Sequence, residues 1–379
     1  MIYFDNAATT FPKPPEVTRA VAEHMWARGG NPGRGAHPLA LAAAEAVYDA
    51  RSEIASFFGG EKPENVVFTQ NATHALNLAI FGTVKNGDHI LISNLEHNSV
   101  FRPVAELYRR GTASYSVFDA LGGEEETLLN VKKALRRNTR VLICTHVSNI
   151  CPKVLPLERI SRFCRERGIL HIADISQSAG IYPVDIKSGA GVLCAPGHKG
   201  LYGPQGTGFC LFADDFDFAR LSPAVFGGNG ISSAKPEMGK TAPESFEAGT
   251  LAAPVISGLL AGVRFVKRIG IEKIRAHESA ICEKIRRLLS QNERVKIYLP
   301  HEKAGSALLL NAEGANAAEL ASRLSAKGIC TRAGMHCAPL AHEALGTGGD
   351  ALRLSFSAFN TASEAEAFSA VFEEILRKI

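Results

Sequence analysis

Short apolar runs alternate with longer amphipathic stretches through the first two thirds of the chain. Val66-Val-Phe-Thr69, His89-Ile-Leu-Ile-Ser93, Val141-Leu-Ile-Cys-Thr145, Gly168-Ile-Leu-His-Ile-Ala173 and Val192-Leu-Cys-Ala195 are rich in branched residues and bounded by polar or glycine positions. This pattern predicts buried strands. Between and around them, apolar positions at helical spacing predict helices over 16–28, 39–58 and His74–Phe81, and later over Pro254–Ile269, Ile271–Gln291 and Ser363–Lys378. The alternation predicts an α/β fold with a mostly parallel sheet covered by helices on both faces. Asp5–Thr10 followed by Phe-Pro-Lys-Pro-Pro15 reads as an extended arm, because proline disfavours helix in the residue before it. Gly328–Thr331 and Ala351–Phe356 read as strands of a later unit.

Each predicted strand ends in chemistry. Val66–Thr69 runs into Gln70-Asn-Ala-Thr73 and a helix start, where Ala72, Thr73 and His74 would offer free backbone N–H groups and a hydroxyl. That is a seat for a phosphate. His97 follows the second strand, Asn149 the third, Asp174 and Gln177 the fourth, and His198-Lys199 the fifth. Open α/β sheets bind ligands beyond the carboxyl ends of their strands, so all of these belong on one edge. Taken singly, Asn149 and Gln177 read as caps or loop hydrogen bonds. Asp174 directly after a buried run requires a charged partner, and a protonated pyridine nitrogen is one.

Lys199 lies in a loop with glycines at 197, 200, 203, 206 and 208, which reads as a loop built around a bound group. A lysine in a partly dry pocket has a lowered pKa and forms Schiff bases, the usual way of holding pyridoxal phosphate. The plainer reading is a solvated or phosphate-touching lysine on a turn. With pyridoxal phosphate the pieces are chemically sufficient: Lys199 for the aldehyde, Asp174 for the pyridinium, His97 to stack, Thr73 and the helix start for the phosphate. Asn31, Arg34 and His37 sit on a second glycine-rich loop, either a cover for a site or a plain linker.

A chain of 379 residues exceeds one ordinary core, which predicts two domains, and 46% hydrophobic with 21% charged residues is a globular balance. A net charge of +4 without a like-charge run argues against nucleic acid. No apolar segment of about 18 residues and no leader pattern is visible, so the expectation is a cytoplasmic protein without a membrane partner. The eight cysteines contain no Cys-x-x-Cys pair, which argues against a zinc ribbon or a disulfide framework. Six fall on buried-looking patterns, leaving Cys151 and Cys337. Cys337 is flanked by Arg332 and His336, whose charge would favour a thiolate. The alternatives are an inert surface thiol, or a metal site of His336, Cys337 and His342 that lacks a fourth ligand. Arg353 is either a surface arginine on an edge strand or a bidentate clamp for a carboxylate.

Taken in order, Asp5-Asn-Ala-Ala-Thr9, Asn31…Arg34-Gly-Ala-His37, Glu96-His97-Asn98, Thr145-His-Val-Ser-Asn149, Asp174-Ile-Ser-Gln177, Gly197-His-Lys199…Tyr202-Gly-Pro204, Phe246-Glu-Ala-Gly-Thr250 and Arg332-Ala-Gly-Met-His-Cys337 resemble the motifs of cysteine desulfurases. These are class V aminotransferase-like enzymes of pyridoxal phosphate fold type I. The likeness spans nearly the whole chain and is nearest to the SUF-type and selenocysteine-lyase branch, whose cysteine sits in a short Arg-x-Gly-x-His-Cys loop. The resemblance implies a seven-stranded large domain over 15–260 and a smaller α+β domain from 1–14 with 261–379. It implies a homodimer in which Gly249 and Thr250 reach the partner's phosphate, L-cysteine as substrate, and a sulfur-acceptor protein. Lys199, Cys337 and His97 would be catalytic. Asp174, Gln177, Ala72, Thr73, His198 and Asn149 would contact the cofactor, and Arg353, Asn149, His37 and Arg332 the substrate. No metal is implied.

The chain departs from the family at three places. Pro196 replaces a phosphate-binding hydroxyl residue, Ile150-Cys-Pro-Lys153 replaces the usual Gly-Thr, and a glycine follows Lys199. A selenocysteine lyase or cysteine-sulfinate lyase would share every residue named. A transaminase or epimerase would not need Cys337, and a non-catalytic sulfur-relay scaffold would not need both Lys199 and Asp174.

Overall fold

The computed structural model describes every residue except 34, 232, 233, 303, 304 and 306. Arg34 of the second glycine-rich loop therefore lies outside the described residues. The larger sheet has seven strands in the order Val66–Thr69, Gly208–Phe212, Val192–Pro196, Leu170–Asp174, Thr139–Thr145, Asp88–Ser93 and Ala113–Phe118. Gly208–Phe212 runs antiparallel to both neighbours and the remaining pairs are parallel. The central strands are apolar on both faces, as a sheet covered on both sides requires. One face packs residues such as Leu91, Leu142, Ala173, Leu193 and Phe209 against Ile54, Ile160 and Leu259. The other packs Ile90, Ile92, Ile143, Ile172 and Val192 against Leu76, Ile80 and Val104.

The register sets the functional edge. Thr145 pairs with Asp174, and Asp174 with Cys194, so the ends of three central strands lie level and their following loops share one crevice. The helix after the first strand spans Ala72–Thr83 and starts two residues earlier than the sequence predicts. The reason is Asn71, whose side chain accepts the His74 amide as an N-cap.

A second sheet, antiparallel, has the order Arg332–Ala333, Leu352–Ser355, Ala307–Ala312 and Val295–Ile297. Helices Ile271–Leu289, Ala317–Ala326 and Ala362–Arg377 supply its core with Ile281, Ile285, Leu320, Leu324, Phe368 and Phe372. The chain's first residues join this unit: Ile2–Tyr3 pairs with Ile329–Cys330, Phe4 is buried in the same core, and Asp5 bridges to Ser355. The arm then crosses to the large sheet, where it meets His198 and Gln177. Among the described residues no helix is long and apolar enough to cross a membrane.

Candidate active site

The strand ends, the arm and the second sheet enclose a cavity of about 260 Å3 whose walls include Ala72, Thr73, His97, Asn149, Asp174, Gln177, His198, Lys199, Arg332, Cys337 and Arg353. A larger cleft, about 480 Å3, opens at the opposite edge of the sheet, and no predicted site residue lines it.

Lys199 leads the chemistry. Desolvation lowers its amine from 10.5 to about 8; Asp174 opposes this, while Arg353 and Arg332 add to it. An amine near 8 is neutral often enough at physiological pH to act as a nucleophile. Four glycines of its loop, 197, 200, 203 and 208, however, press on the chain itself, while Gly206 is needed for its positive φ of 85°. A Cβ on Gly200 would stand 2.4 Å from the Ala179 carbonyl oxygen, and one on Gly208 would stand 2.6 Å from the Asn71 backbone. The close approach at Gly208 is what brings the lysine loop against the cap of helix Ala72–Thr83.

That helix start points its unpaired N–H groups and the positive end of its dipole at the cavity. Two hydroxyls stand beside it, Thr73 Oγ1 and Ser99 Oγ, 3.0 Å apart. His198 lines the same cavity with a buried Nδ1 that has no partner among the described residues. An orphaned polar atom, two hydroxyls and a helix terminus form a set that suits a phosphate, and they do so although Pro196 lacks the hydroxyl usual at its place. Ser99 was not foreseen. Its signal was available, since it follows His97 by two residues at another helix start.

His97 caps helix Asn98–Arg109: its Nδ1 accepts the Ser99 amide at 3.0 Å, which leaves the ring proton on Nε2. Burial, with Lys199 adding to it, lowers its pKa to about 4, so the ring is neutral. A neutral, fixed imidazole suits stacking on an aromatic cofactor. Asp174 is 3% exposed and its Oδ1 accepts the Ser176 amide at 2.9 Å. Gln177 donates through Nε2 to the Ala7 carbonyl at 3.0 Å, which ties the arm to the cavity wall. Together these residues fit pyridoxal phosphate: an amine, a carboxylate at a strand end, a neutral ring and an anion seat around one cavity.

Cys337 is exposed and lies on the cavity rim, in a turn where both His336 and Cys337 adopt positive φ, 48° and 57°. Such backbone costs of order 1–3 kcal/mol per residue and persists only where the surroundings enforce it. Three hydrogen bonds enforce it here. Asn98 N donates to the Cys337 carbonyl at 2.7 Å, Asn149 Nδ2 to the His336 carbonyl at 2.9 Å, and His336 Nε2 to the Arg332 carbonyl at 3.2 Å. His336 Nδ1 in turn accepts from His342 Nε2 at 3.3 Å. Burial takes His336 to about 3, so it is uncharged. The expectation that His336 lends positive charge to the thiol is therefore corrected: His336 is neutral and shapes the loop. Among the described residues no cluster of His, Cys, Asp and Glu is arranged to hold a metal.

Arg353 lies in the middle of its sheet and is 2% exposed, not on an edge strand. It is paired across strands with Arg332. Its Nη2 meets Asp5 Oδ1 at 2.6 Å, its Nη1 donates to the Asn149 carbonyl at 2.9 Å, and its buried Nε has no partner among the described residues. Cys151 is fully buried with its thiol pKa raised by desolvation, so it is a packed thiol. Lys153, two residues on, is buried against Glu302 and the Gly122 carbonyl.

Three predicted residues are not brought to this cavity. His37 caps helix Pro38–Phe57 by accepting the Ala40 amide. Gly249 and Thr250 are exposed and line a separate cleft with Asn31, Tyr48 and Glu247.

Comparisons with known proteins address the family and the fold. The model of the aminotransferase class-V family matches residues 2–368. A protein from Methanothermobacter thermautotrophicus described as a probable cysteine desulfurase is 32% identical over 99% of this chain and 94% of its own. One from Haloferax volcanii described as a cysteine desulfurase is 28% identical, covering 97% of this chain and 87% of its own. Among solved structures, the apo cysteine desulfurase of Thermococcus onnurineus superposes with a TM-score of 0.91 at 30% identity, covering 100% of this chain and 95% of that one.

Proposed function

The chain belongs to the aminotransferase class-V family, and within it we propose that this protein is a pyridoxal-phosphate-dependent cysteine desulfurase, converting L-cysteine to L-alanine and leaving the sulfur on Cys337. The observation that carries the reading is that Cys337, Lys199 and Arg353 line one cavity. A lysine and an aspartate alone would serve any reaction of this cofactor, whereas a cysteine on the rim serves sulfur.

Lys199 would hold the cofactor aldehyde, Asp174 the ring nitrogen, Gln177 the phenolic oxygen and His97 the ring face. Thr73, His198 and the N–H groups from Ala72 onward would hold the phosphate. Bound there, the cofactor supplies a sink for the electron pair released when the substrate Cα–H bond breaks. The neutral Lys199 Nζ takes that proton, as its lowered pKa permits. Arg353, held by Asp5 and by the Asn149 carbonyl, presents its remaining donors to the substrate carboxylate, with Arg332 across the strand pair beside it. The Cys337 thiolate then forms an S–S bond with the substrate sulfur as the Cβ–S bond breaks. That bonding pair stays with the substrate carbon, which takes a proton to become alanine. No outside oxidant is required, and a thiol acceptor, proposed as a protein, removes the persulfide sulfur.

We further propose a homodimer. Leu39, Leu41 and Tyr48 are largely uncovered on the helix that His37 caps, and Phe226 is 73% exposed in the loop whose Gly228 carbonyl accepts the Gly249 amide; Trp26, 92% exposed, lies on helix Pro15–Ala27. A second copy on this face would cover them and supply Thr250 to the neighbouring site. Alanine formation from L-cysteine, lost in Cys337→Ser, tests the reaction; light scattering in solution tests the dimer.

A further inference from the structure

The carbonyl oxygen of His198, in the peptide that leads into Lys199, collects donors from the N-terminal arm. Lys13 Nζ donates to it at 2.7 Å, the Thr10 amide at 3.1 Å, and the hydroxyls of Thr10 and Thr9 point at it from 3.1 and 3.2 Å. The Thr10 hydroxyl also lies 3.1 Å from the Lys199 carbonyl, and Lys13 donates to Thr10 Oγ1 at 2.6 Å. A carbonyl oxygen has two lone pairs, so the rotatable hydroxyls share and alternate while the ammonium and the amide hold. Of these donors the ammonium is charged and forms the stronger bond.

Lys13 holds these oxygens and has no carboxylate within ion-pair distance among the described residues. Burial lowers its pKa to about 8, a cost that a surface lysine would not bear. The other end of the same short arm holds Asp5, which grips Arg353 at 2.6 Å. Residues 5–13 thus touch the substrate-facing arginine at one end and the lysine peptide at the other, with Ala7 bonded to Gln177 between them.

We propose that Lys13 is a positioning residue for Lys199: with Thr10 it fixes the His198–Lys199 peptide, and through the arm it sets the lysine at a constant place relative to Arg353. This rests on the reading that Lys199 holds the cofactor. The geometry needs a cation at 13, because a neutral side chain of the same length loses the charged bond and leaves the carbonyl to mobile hydroxyls.

The test uses the purified holoenzyme and its Lys13→Met and Lys13→Arg variants. Each is stripped of cofactor, and the rate at which added pyridoxal phosphate regenerates the visible band is followed alongside kcat, KM and the melting temperature. Lys13→Met is expected to recapture the cofactor about tenfold more slowly and to lose about tenfold in kcat, with KM for L-cysteine within about twofold of wild type, since small displacements of a reacting group cost rate steeply. Lys13→Arg restores both rates. Recapture by Lys13→Met at the wild-type rate, or Lys13→Arg as slow as Lys13→Met, overturns the proposal. Should Lys13→Met fail to fold, Thr10→Val, which keeps the amide bond and removes the hydroxyl from both carbonyls, must slow recapture about threefold, and a wild-type rate overturns the proposal equally. A wild type that forms no band sinks the cofactor reading instead, and the two failures are told apart by that control.

Discussion

The amide of Asn98 donates to the carbonyl oxygen of Cys337 at 2.7 Å, so the residue that follows His97, the proposed partner of the cofactor ring, holds the backbone of the proposed nucleophile. His97 and Cys337 come from different sheets, and this bond fixes one against the other. The exposed thiol is thus mounted on a braced turn, with Asn149, His336 and His342 completing the brace.

His342→Ala removes the donor to His336 Nδ1 and leaves a buried acceptor unpaired. The expected cost is about 1–3 kcal/mol in urea unfolding. Because the turn then loosens, alkylation of Cys337 by iodoacetamide changes rate while cofactor binding does not. An unchanged alkylation rate with full stability would show that the histidine pair is idle.

Asp5→Asn leaves the buried Arg353 without its counter-charge. Breaking a fully buried pair costs about 3–5 kcal/mol, and the Asp5 side chain is 21% exposed, so about 1–3 kcal/mol is expected after screening. KM for L-cysteine should rise as the guanidinium loses its fixed orientation. Steady-state kinetics with denaturant titration checks both.

Lys199 is lowered to about 8, and the proposed capture of the cofactor aldehyde requires its neutral amine. The rate of cofactor uptake by the stripped protein should therefore rise with pH to a midpoint near 8, well below the 10.5 of a free lysine. Asp174 raises this pKa, so Asp174→Asn should move the midpoint lower. The sign for stability follows the same way: the unfolded lysine binds its proton up to 10.5, so this group's contribution to the stripped protein grows as pH rises from about 8 toward 10.5. A midpoint that moves up in Asp174→Asn would contradict the electrostatics.

Arg51 and Glu247 form a buried ion pair, their side chains 8% and 4% exposed, and Glu247 Oε1 also accepts the Phe68 amide. This pair anchors the segment that ends in Gly249 and Thr250. Arg51→Met is expected to cost about 3–5 kcal/mol, because it strands a buried carboxylate. Light scattering on the folded fraction should show weakened self-association.

Much of this site was legible in the chain because strand ends and register do the assembling. Short apolar runs ending in His97, Asn149, Asp174 and Lys199 could meet only on one edge of a parallel sheet, and they do. What sequence could not show depends on contacts made across long separations. The neutrality of His336 follows from burial against His342, not from its place beside Cys337. The glycines after Lys199 looked like a cradle, whereas Gly200 packs on Ala179, Gly203 on Leu259 and Gly208 on Asn71. Lys13 read as one residue of a proline-rich arm, and its role emerges only where the arm meets His198. His37, Gly249 and Thr250 lie away from the cavity of one chain, and their proposed part in the site needs a second copy.

The central claim is tested most directly by incubating the pyridoxal-phosphate-loaded protein and its Cys337→Ser variant with L-cysteine and a reducing thiol, and measuring alanine and sulfide. Equal amounts of alanine and sulfide from the wild type, with both lost in the variant although its cofactor band remains, are the predicted result. Alanine formation that survives in Cys337→Ser, or a loaded wild type that releases none, would contradict it.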